Sequence, residues 1–339
     1  MARIVELLAL AVTSYGVTWV AIRLAEKFGI RDVPNSRSSH QRPVPRGGGI
    51  AIVLTFALGL STLPRGLPRT LLWAILAPGI LVAAVGYVDD LRHLSAKARL
   101  VVHIAASFAA AYWIAAANQR ASTPPAWLWL GAMAVGIAWL INLTNFMDGI
   151  DGILAAQALA VSLAAAVLCW AAKDAMVAQL YLVLAASTLG FLVWNWSPAR
   201  IFMGDVGSGF IGFVYGALTL LSWLRGTLRL ETSLILFGVF ICDATYTLIV
   251  RAALRCDVTA AHRDHAYQKA VQSGLPHAKV SLVVVAIDCL WMAPWAYLST
   301  RIDPLVCLLA AYLPLIAVAV HYRAGVPPSR MLAGMRRQA

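Results

Sequence analysis

The densest chemistry in the chain lies in the run Asn142-Leu-Thr-Asn145-Phe-Met-Asp148-Gly-Ile-Asp151-Gly152, where an amide or a carboxylate recurs at every third position. Residues three apart are neighbours on one side of a helix, so the four polar side chains form a row. Carboxylate and carboxamide oxygens suit a hard cation, amide N–H groups suit phosphate, sugar or base, and Gly149 and Gly152 let the backbone bend and a ligand approach closely. A polar helix cap with a turn is the plainer reading. Two Asn, two Asp and two Gly with no cation among them exceed what a cap needs.

Four other segments add reactive groups. Asp89 and Asp90 close an apolar stretch; adjacent carboxylates repel unless a metal, or basic residues such as Arg92, Lys97 and Arg99, relieve them. Phe202-Met-Gly204-Asp205-Val-Gly207-Ser208-Gly209 opens another stretch with an anion-binding type of turn, Asp205 offering a magnesium ligand and Phe202 a face for a base. His262-Arg263-Asp264-His265 places two imidazoles three apart beside cations, a set that could hold a diphosphate or bind zinc. Asp32 to Gly49 combines prolines with Arg37, Arg42 and Arg46, and also carries Asn35 and His40, a composition suited to a lipid headgroup or an anionic substrate. Asp243 and Asp288 lie deeper in apolar stretches and should face the protein interior, Asp288 with no evident partner.

The elements that must position these groups are membrane helices. Of 339 residues 61% are hydrophobic and only 12% charged, with a mean hydropathy of +0.76, more apolar surface than a soluble fold can hide. The expected fold class is all-α, a polytopic integral membrane protein of about 11 transmembrane helices. The apolar windows fall near residues 4–22, 48–63, 71–88, 100–117, 127–144, 153–171, 177–195, 207–224, 232–250, 280–298 and 305–321. The first is long enough to cross a bilayer and lacks a small-residue cleavage site, so it reads as a retained helix rather than a signal peptide. Residues 1–339 are expected to form a single transmembrane domain with no soluble insertion.

The net charge of +12 comes from Lys and Arg in short loops rather than on one face, which argues against nucleic acid as a partner. Most of the 27 Lys and Arg fall in one set of alternating connections, beginning with Arg23 to Arg46, placing that set in the cytoplasm, the N-terminus outside and the C-terminus inside. Every polar motif then lies on the cytoplasmic side. The five cysteines are scattered in apolar stretches, implying neither disulfides nor a zinc site. Gly and Ala in the helices serve internal packing or a homodimer face equally well.

Taken in order, these segments resemble the polyprenyl-phosphate N-acetylhexosamine-1-phosphate transferases, the family that includes the phospho-N-acetylmuramoyl-pentapeptide transferases. The resemblance runs from Asp32 through Gln268. It implies transfer of a sugar-1-phosphate from a UDP-N-acetylhexosamine to undecaprenyl phosphate, with Mg2+ or Mn2+, at the cytoplasmic face of a bacterial inner membrane. By that resemblance Asp89 and Asp90 match the paired acids near the lipid phosphate. Asn145, Asp148 and Asp151, with Asn142 beside them, match the nucleotide and diphosphate pocket. Asp205 matches the metal ligand, with Asp90 a second candidate, and Phe202 falls where an aromatic packs on uracil. His262 and His265 occupy the histidine motif, with Arg263 and Arg46 as anion-binding partners; Asp89, Asp90, Asp148, His262 and His265 are the implied catalytic set. The motif here reads His-Arg-Asp-His-Ala-Tyr-Gln, without the adjacent histidines of the muropeptide branch, which points to enzymes initiating O-antigen or other surface polysaccharides. Direct attack by the acceptor phosphate and a covalent aspartyl intermediate are both open. The competing class is a polyprenyl-lipid or nucleotide-sugar transporter, since acids in membrane helices also mark ion pathways.

Overall fold

Apolar segments in lipid must satisfy their own backbone groups, and here they do so as helices. The computed structural model describes residues 2–34, 42–62, 66–92, 94–119, 126–258, 260 and 262–327. In chain order α1 is Ala2–Phe28, followed by a two-residue antiparallel hairpin of β1 (Arg31–Asp32) and β2 (Val44–Pro45). Then come α2 (Ile50–Thr62), α3 (Arg69–Arg92), α4 (Ala96–Ala117), α5 (Ala126–Met147), α6 (Ile153–Ala171), α7 (Ala175–Asn195), α8 (Asp205–Leu224), α9 (Leu230–Leu236) and α10 (Gly238–Ala253). After the short α11 (Ala266–Gln272), α12 (His277–Ile287) runs through one π-helical turn, Asp288–Met292, into α13 (Ala293–Leu298), and α14 (Pro304–His321) follows. Asn35, Arg37 and His40 of the first polar loop lie outside the described residues, as does Ala261.

The all-α polytopic reading holds: among the described residues nine helices are long and apolar enough to cross a membrane. Two expected spans differ. The 48–63 window yields only the 13 residues of α2, about 20 Å of helix at 1.5 Å per residue and short of a hydrocarbon layer of about 30 Å. The 232–250 window is broken at Phe237, where α9 and α10 meet at 83°, so it is one span only if the bent pair is counted together. A hydropathy window registers apolar length but not direction, which is why the bend at Phe237 did not show in the sequence.

Helix α8 is the axis of the bundle. Its most apolar stretch is 89% buried, apolar all round as a helix surrounded by others must be. It packs on α3 and α5, with α4 joining from the same side, while α6 pairs with α7 and α7 with α1. The outermost helices α1 and α14 are only 22% buried, leaving apolar faces such as Leu8, Val12, Leu309 and Leu313 for lipid. Local caps fix several helix starts: Ser95 Oγ accepts from Ala98 N at α4, Asp174 Oδ1 from Val177 N at α7, and Asp303 Oδ1 from Leu305 N at α14. Asp174 also accepts from Arg225 Nε and Thr227 Oγ1, both at 2.7 Å, tying the α6–α7 turn to the end of α8.

Candidate active site

The start of α8 is built around Asp90. Its Oδ1 accepts from Asp205 N at 2.9 Å and its Oδ2 from Val206 N at 3.2 Å, so a carboxylate at the end of α3 caps the N-terminus of α8. Gly204 makes this possible: it takes φ +75°, and a Cβ there would meet Asp90 Oδ2 at 2.5 Å. Gly86, one turn before the acidic pair, lets α3 close on the Asp205 carbonyl, which a Cβ at that position would overlap.

Two arginines bind the acids together. Arg46, presented by the hairpin just after β2, donates from Nε to Asp90 Oδ1 and from Nη2 to Asp205 Oδ1, both at 2.8 Å, with Asp32 Oδ2 at 3.9 Å from Nη1. Burial acts to lower the Arg46 pKa, but the charges of Asp90, Asp205 and Asp32 hold it above its ordinary value. Arg99, in the first turn of α4, donates from Nη1 to Asp205 Oδ2 at 2.7 Å and also to Asp89 Oδ2. Of the basic residues near the acidic pair, it is Arg99 that reaches both Asp89 and Asp205. The other Asp89 oxygen accepts from Leu94 N at 2.5 Å.

The polar row closes the cluster. Asn145 Nδ2 donates to Ser208 Oγ at 3.3 Å, inside the first turn of α8. Asp148 senses Asp205, Arg46 and Asp90, and burial followed by the Asp205 charge raises its pKa well above the usual carboxylate range. Asp151 does something else: its Oδ1 lies 3.3 Å from His277 Nδ1, its Oδ2 accepts from Ala199 N at 3.2 Å, and its carbonyl accepts from Ser281 Oγ at 3.0 Å. Burial works to raise its pKa, but His277 and the backbone of Ala199 hold it below the usual value. Asp151 therefore staples the α5–α6 turn to α12 and to the loop before α8, and its oxygens are committed to protein.

Beside the acids opens a cavity of about 630 Å³ between α4, α5, α10 and the histidine loop. Its polar wall carries Arg99, Asn142, Asn145, His262, His265 and Gln268, and its apolar wall includes Leu100, Ile104, Val135 and Leu248. Asn142 donates to Ala138 O at 2.7 Å, and its side chain also hydrogen-bonds His103 of α4. His262 and His265 stack with centroids 5.0 Å apart, and Phe146 lies 6.3 Å from His265. Burial, then His265 and Arg251, lowers the His262 pKa to about 4, leaving the ring neutral at neutral pH.

Phe202 and Arg263 are not on this wall. The Phe202 backbone instead joins the hairpin, donating to Pro45 O at 2.8 Å and accepting from Gly48 N at 2.9 Å, while the Arg263 carbonyl accepts from Gln272 Nε2 at 2.8 Å. The aromatic rings on the cavity wall are Trp139 and Phe146, the latter inside the polar run itself and the one aromatic among its amides.

Among the described residues no three His, Cys, Asp or Glu side chains stand as a ready-made metal-ligand set, because Arg46 and Arg99 lie between the carboxylates. The donor chemistry still suits a hard cation. Asp89, Asp90, Asp148 and Asp205 supply only oxygen, and two guanidiniums leave their charge undercompensated. Asp90 is a poor ligand, since its oxygens bond the start of α8 and its side chain is 2% exposed, against 9% for Asp89 and 14% for Asp205.

Comparison with known proteins agrees with this geometry. Residues 72–223, from α3 to the end of α8, match the model of glycosyl transferase family 4. The chain is 29% identical over 287 residues to a probable undecaprenyl-phosphate N-acetylglucosaminyl 1-phosphate transferase of Bacillus subtilis, covering 80% of this chain and 78% of that protein. It is 32% identical to a phospho-N-acetylmuramoyl-pentapeptide-transferase of Geobacillus kaustophilus, covering 67% of this chain and 75% of that protein. It is 26% identical to a decaprenyl-phosphate N-acetylglucosaminephosphotransferase of Mycobacterium tuberculosis, covering 82% and 78%. With the acids at the end of α3, just after α5 and at the start of α8 gathered at one end of the bundle and relatives matched across most of their length, the chain belongs to the polyprenyl-phosphate N-acetylhexosamine-1-phosphate transferases of glycosyl transferase family 4.

Proposed function

We propose that this protein transfers an N-acetylhexosamine-1-phosphate from a UDP-sugar to undecaprenyl phosphate at the cytoplasmic face of a bacterial inner membrane, as the first membrane step of O-antigen or another surface polysaccharide. The observation that carries the reading is one cavity with two chemistries. Leu100, Ile104 and Val135 offer a surface for an isoprenoid chain, and Arg99, Asn142 and Asn145 offer donors for phosphate at its polar end, next to Asp205.

An oxygen of the acceptor phosphate attacks the sugar-proximal phosphorus, the bond from that phosphorus to the bridging oxygen breaks, and UMP leaves with the electron pair. A phosphate monoester has a second pKa of about 6, so the acceptor is already largely dianionic and needs no strong base. The barrier is charge repulsion between two anions. Arg99 and Arg46 offset it once the incoming phosphates compete for their guanidiniums, and Asn142 and Asn145 orient the diphosphate. His262 and His265 supply hydrogen bonds to phosphate oxygens. Asp205, with Asp148 and Asp89 beside it, would hold Mg2+, and Asp90 would hold Asp205 in place. The metal, when bound, neutralises diphosphate charge and aligns the leaving group.

The test is UMP release by the purified protein from UDP-N-acetylglucosamine and related UDP-sugars, with magnesium and undecaprenyl phosphate. Turnover dependent on the lipid and lost in Asp205→Asn supports transfer. Movement of lipid or nucleotide sugar across vesicles without UMP release would mean a transporter.

A further inference from the structure

His265 is held by a carboxylate that belongs to none of the acidic motifs around Asp205. Asp243, in the second turn of α10 just beyond the break at Phe237, is buried at 8% exposure. Its Oδ1 accepts from Ala266 N at 2.9 Å and from Thr247 Oγ1 at 3.1 Å, and its Oδ2 accepts from Tyr267 N at 3.1 Å. The same Oδ1 lies 3.5 Å from His265 Nδ1. His265 itself is 2% exposed, with Nδ1 enclosed by protein, yet the residue forms part of the cavity wall.

The surroundings leave the ring little freedom. His262 stacks on one side, Tyr267 lies at 5.9 Å and Phe146 at 6.3 Å. Tyr267 Oη donates to Phe146 O at 2.9 Å, fixing the histidine loop to the end of α5, and Gln268 Oε1 accepts from His265 N at 3.3 Å. From the far side Arg251 pairs with Asp264, Lys269 Nζ donates to Val326 O at 2.8 Å, and Gly325 N donates to Asp264 O at 2.8 Å. Asp243 is the one carboxylate in this set that faces both the loop backbone and the imidazole. A carboxylate at Nδ1 favours the proton on that nitrogen and leaves Nε2 as the acceptor or donor for chemistry.

We infer that Asp243 is a positioning residue for the transfer reaction, fixing the tautomer and angle of His265 so that its Nε2 serves the reacting phosphates. The inference rests on the transferase reading above. A closer His265–Asp243 contact on substrate binding would convert the present 3.5 Å separation into a hydrogen bond, as such contacts tighten in productive complexes.

The experiment is a double-mutant cycle in the full-length protein, with Asp243→Asn, His265→Gln and the pair, measured as UMP release at saturating lipid and nucleotide sugar. Asn keeps an acceptor for the loop backbone but removes the charge. The expected result is a kcat about tenfold or more below wild type for Asp243→Asn with KM within about twofold, and no further loss when it is added to His265→Gln. Equal losses in both backgrounds, or an unchanged kcat, would overturn the inference and show Asp243 to be a loop anchor only. If Asp243→Asn does not fold, Asp243→Glu carries the same cycle, since it keeps the charge and displaces it by one methylene. A wild-type protein that releases no UMP with any UDP-sugar sinks the transferase reading; an active wild type with independent losses sinks this inference alone.

Discussion

Arg46 Nη2 and Asp205 Oδ1 lie 2.8 Å apart across a separation of 159 residues. The bond joins the first polar loop to the start of the central helix, and the same guanidinium reaches Asp90 on α3. An ion pair with this placement holds the loop and orients the acid at once. Asp205→Asn should reduce transfer by on the order of 10² or more, since on the proposed mechanism it removes charge where the phosphates would meet, with the helical fold retained by circular dichroism. Arg46→Gln should lose both activity and thermal stability, because it leaves Asp90 facing Asp205 with one cation fewer. Initial rates and melting curves in detergent decide between these two patterns; an Asp205→Asn variant with wild-type rate would remove Asp205 from the chemistry.

Gly204→Ala isolates the backbone. The residue adopts φ +75° and a methyl group there would press on the Asp90 carboxylate. A destabilisation of about 1–3 kcal/mol is expected from the strained conformation, together with reduced turnover because the contact lies at the Asp205 turn. A melting temperature and rate equal to wild type would show that the turn relaxes freely.

Chelation should abolish transfer and a divalent ion should restore it. EDTA is expected to stop UMP release, with Mg2+ or Mn2+ recovering it, because the acids outnumber the arginines that neutralise them. Undiminished turnover in excess EDTA would leave charge neutralisation to Arg46 and Arg99 alone.

His262 gives a pH signature. Its folded-state pKa is about 4, below the value of about 6.5 expected in an unfolded chain. The unfolded state therefore binds a proton that the folded state refuses, and stability present above pH 6.5 is lost as pH falls toward 4. His262→Gln should flatten that part of the stability curve, measured by thermal melts between pH 7 and pH 4. A parallel decline in wild type and variant would place the acid sensitivity elsewhere.

Much of this molecule was written along the chain. Apolar windows separated by polar connections gave an all-α membrane protein, because the bilayer admits few alternatives and their lengths are read one residue at a time. The periodic run from Asn142 to Asp151, the pair Asp89 and Asp90, and the glycine turn around Asp205 could be picked out because unpaired polar residues at helix ends in lipid are costly to keep. Spacing does not reveal partners. That Asp90 caps a helix 115 residues away, that Asp151 is spent on His277, that Phe146 rather than Phe202 lines the cavity, and that Asp243 serves the histidine loop were all decided by packing. So were the shortness of α2 and the bend at Phe237, since a helix axis is set by what surrounds it and not by its own hydropathy.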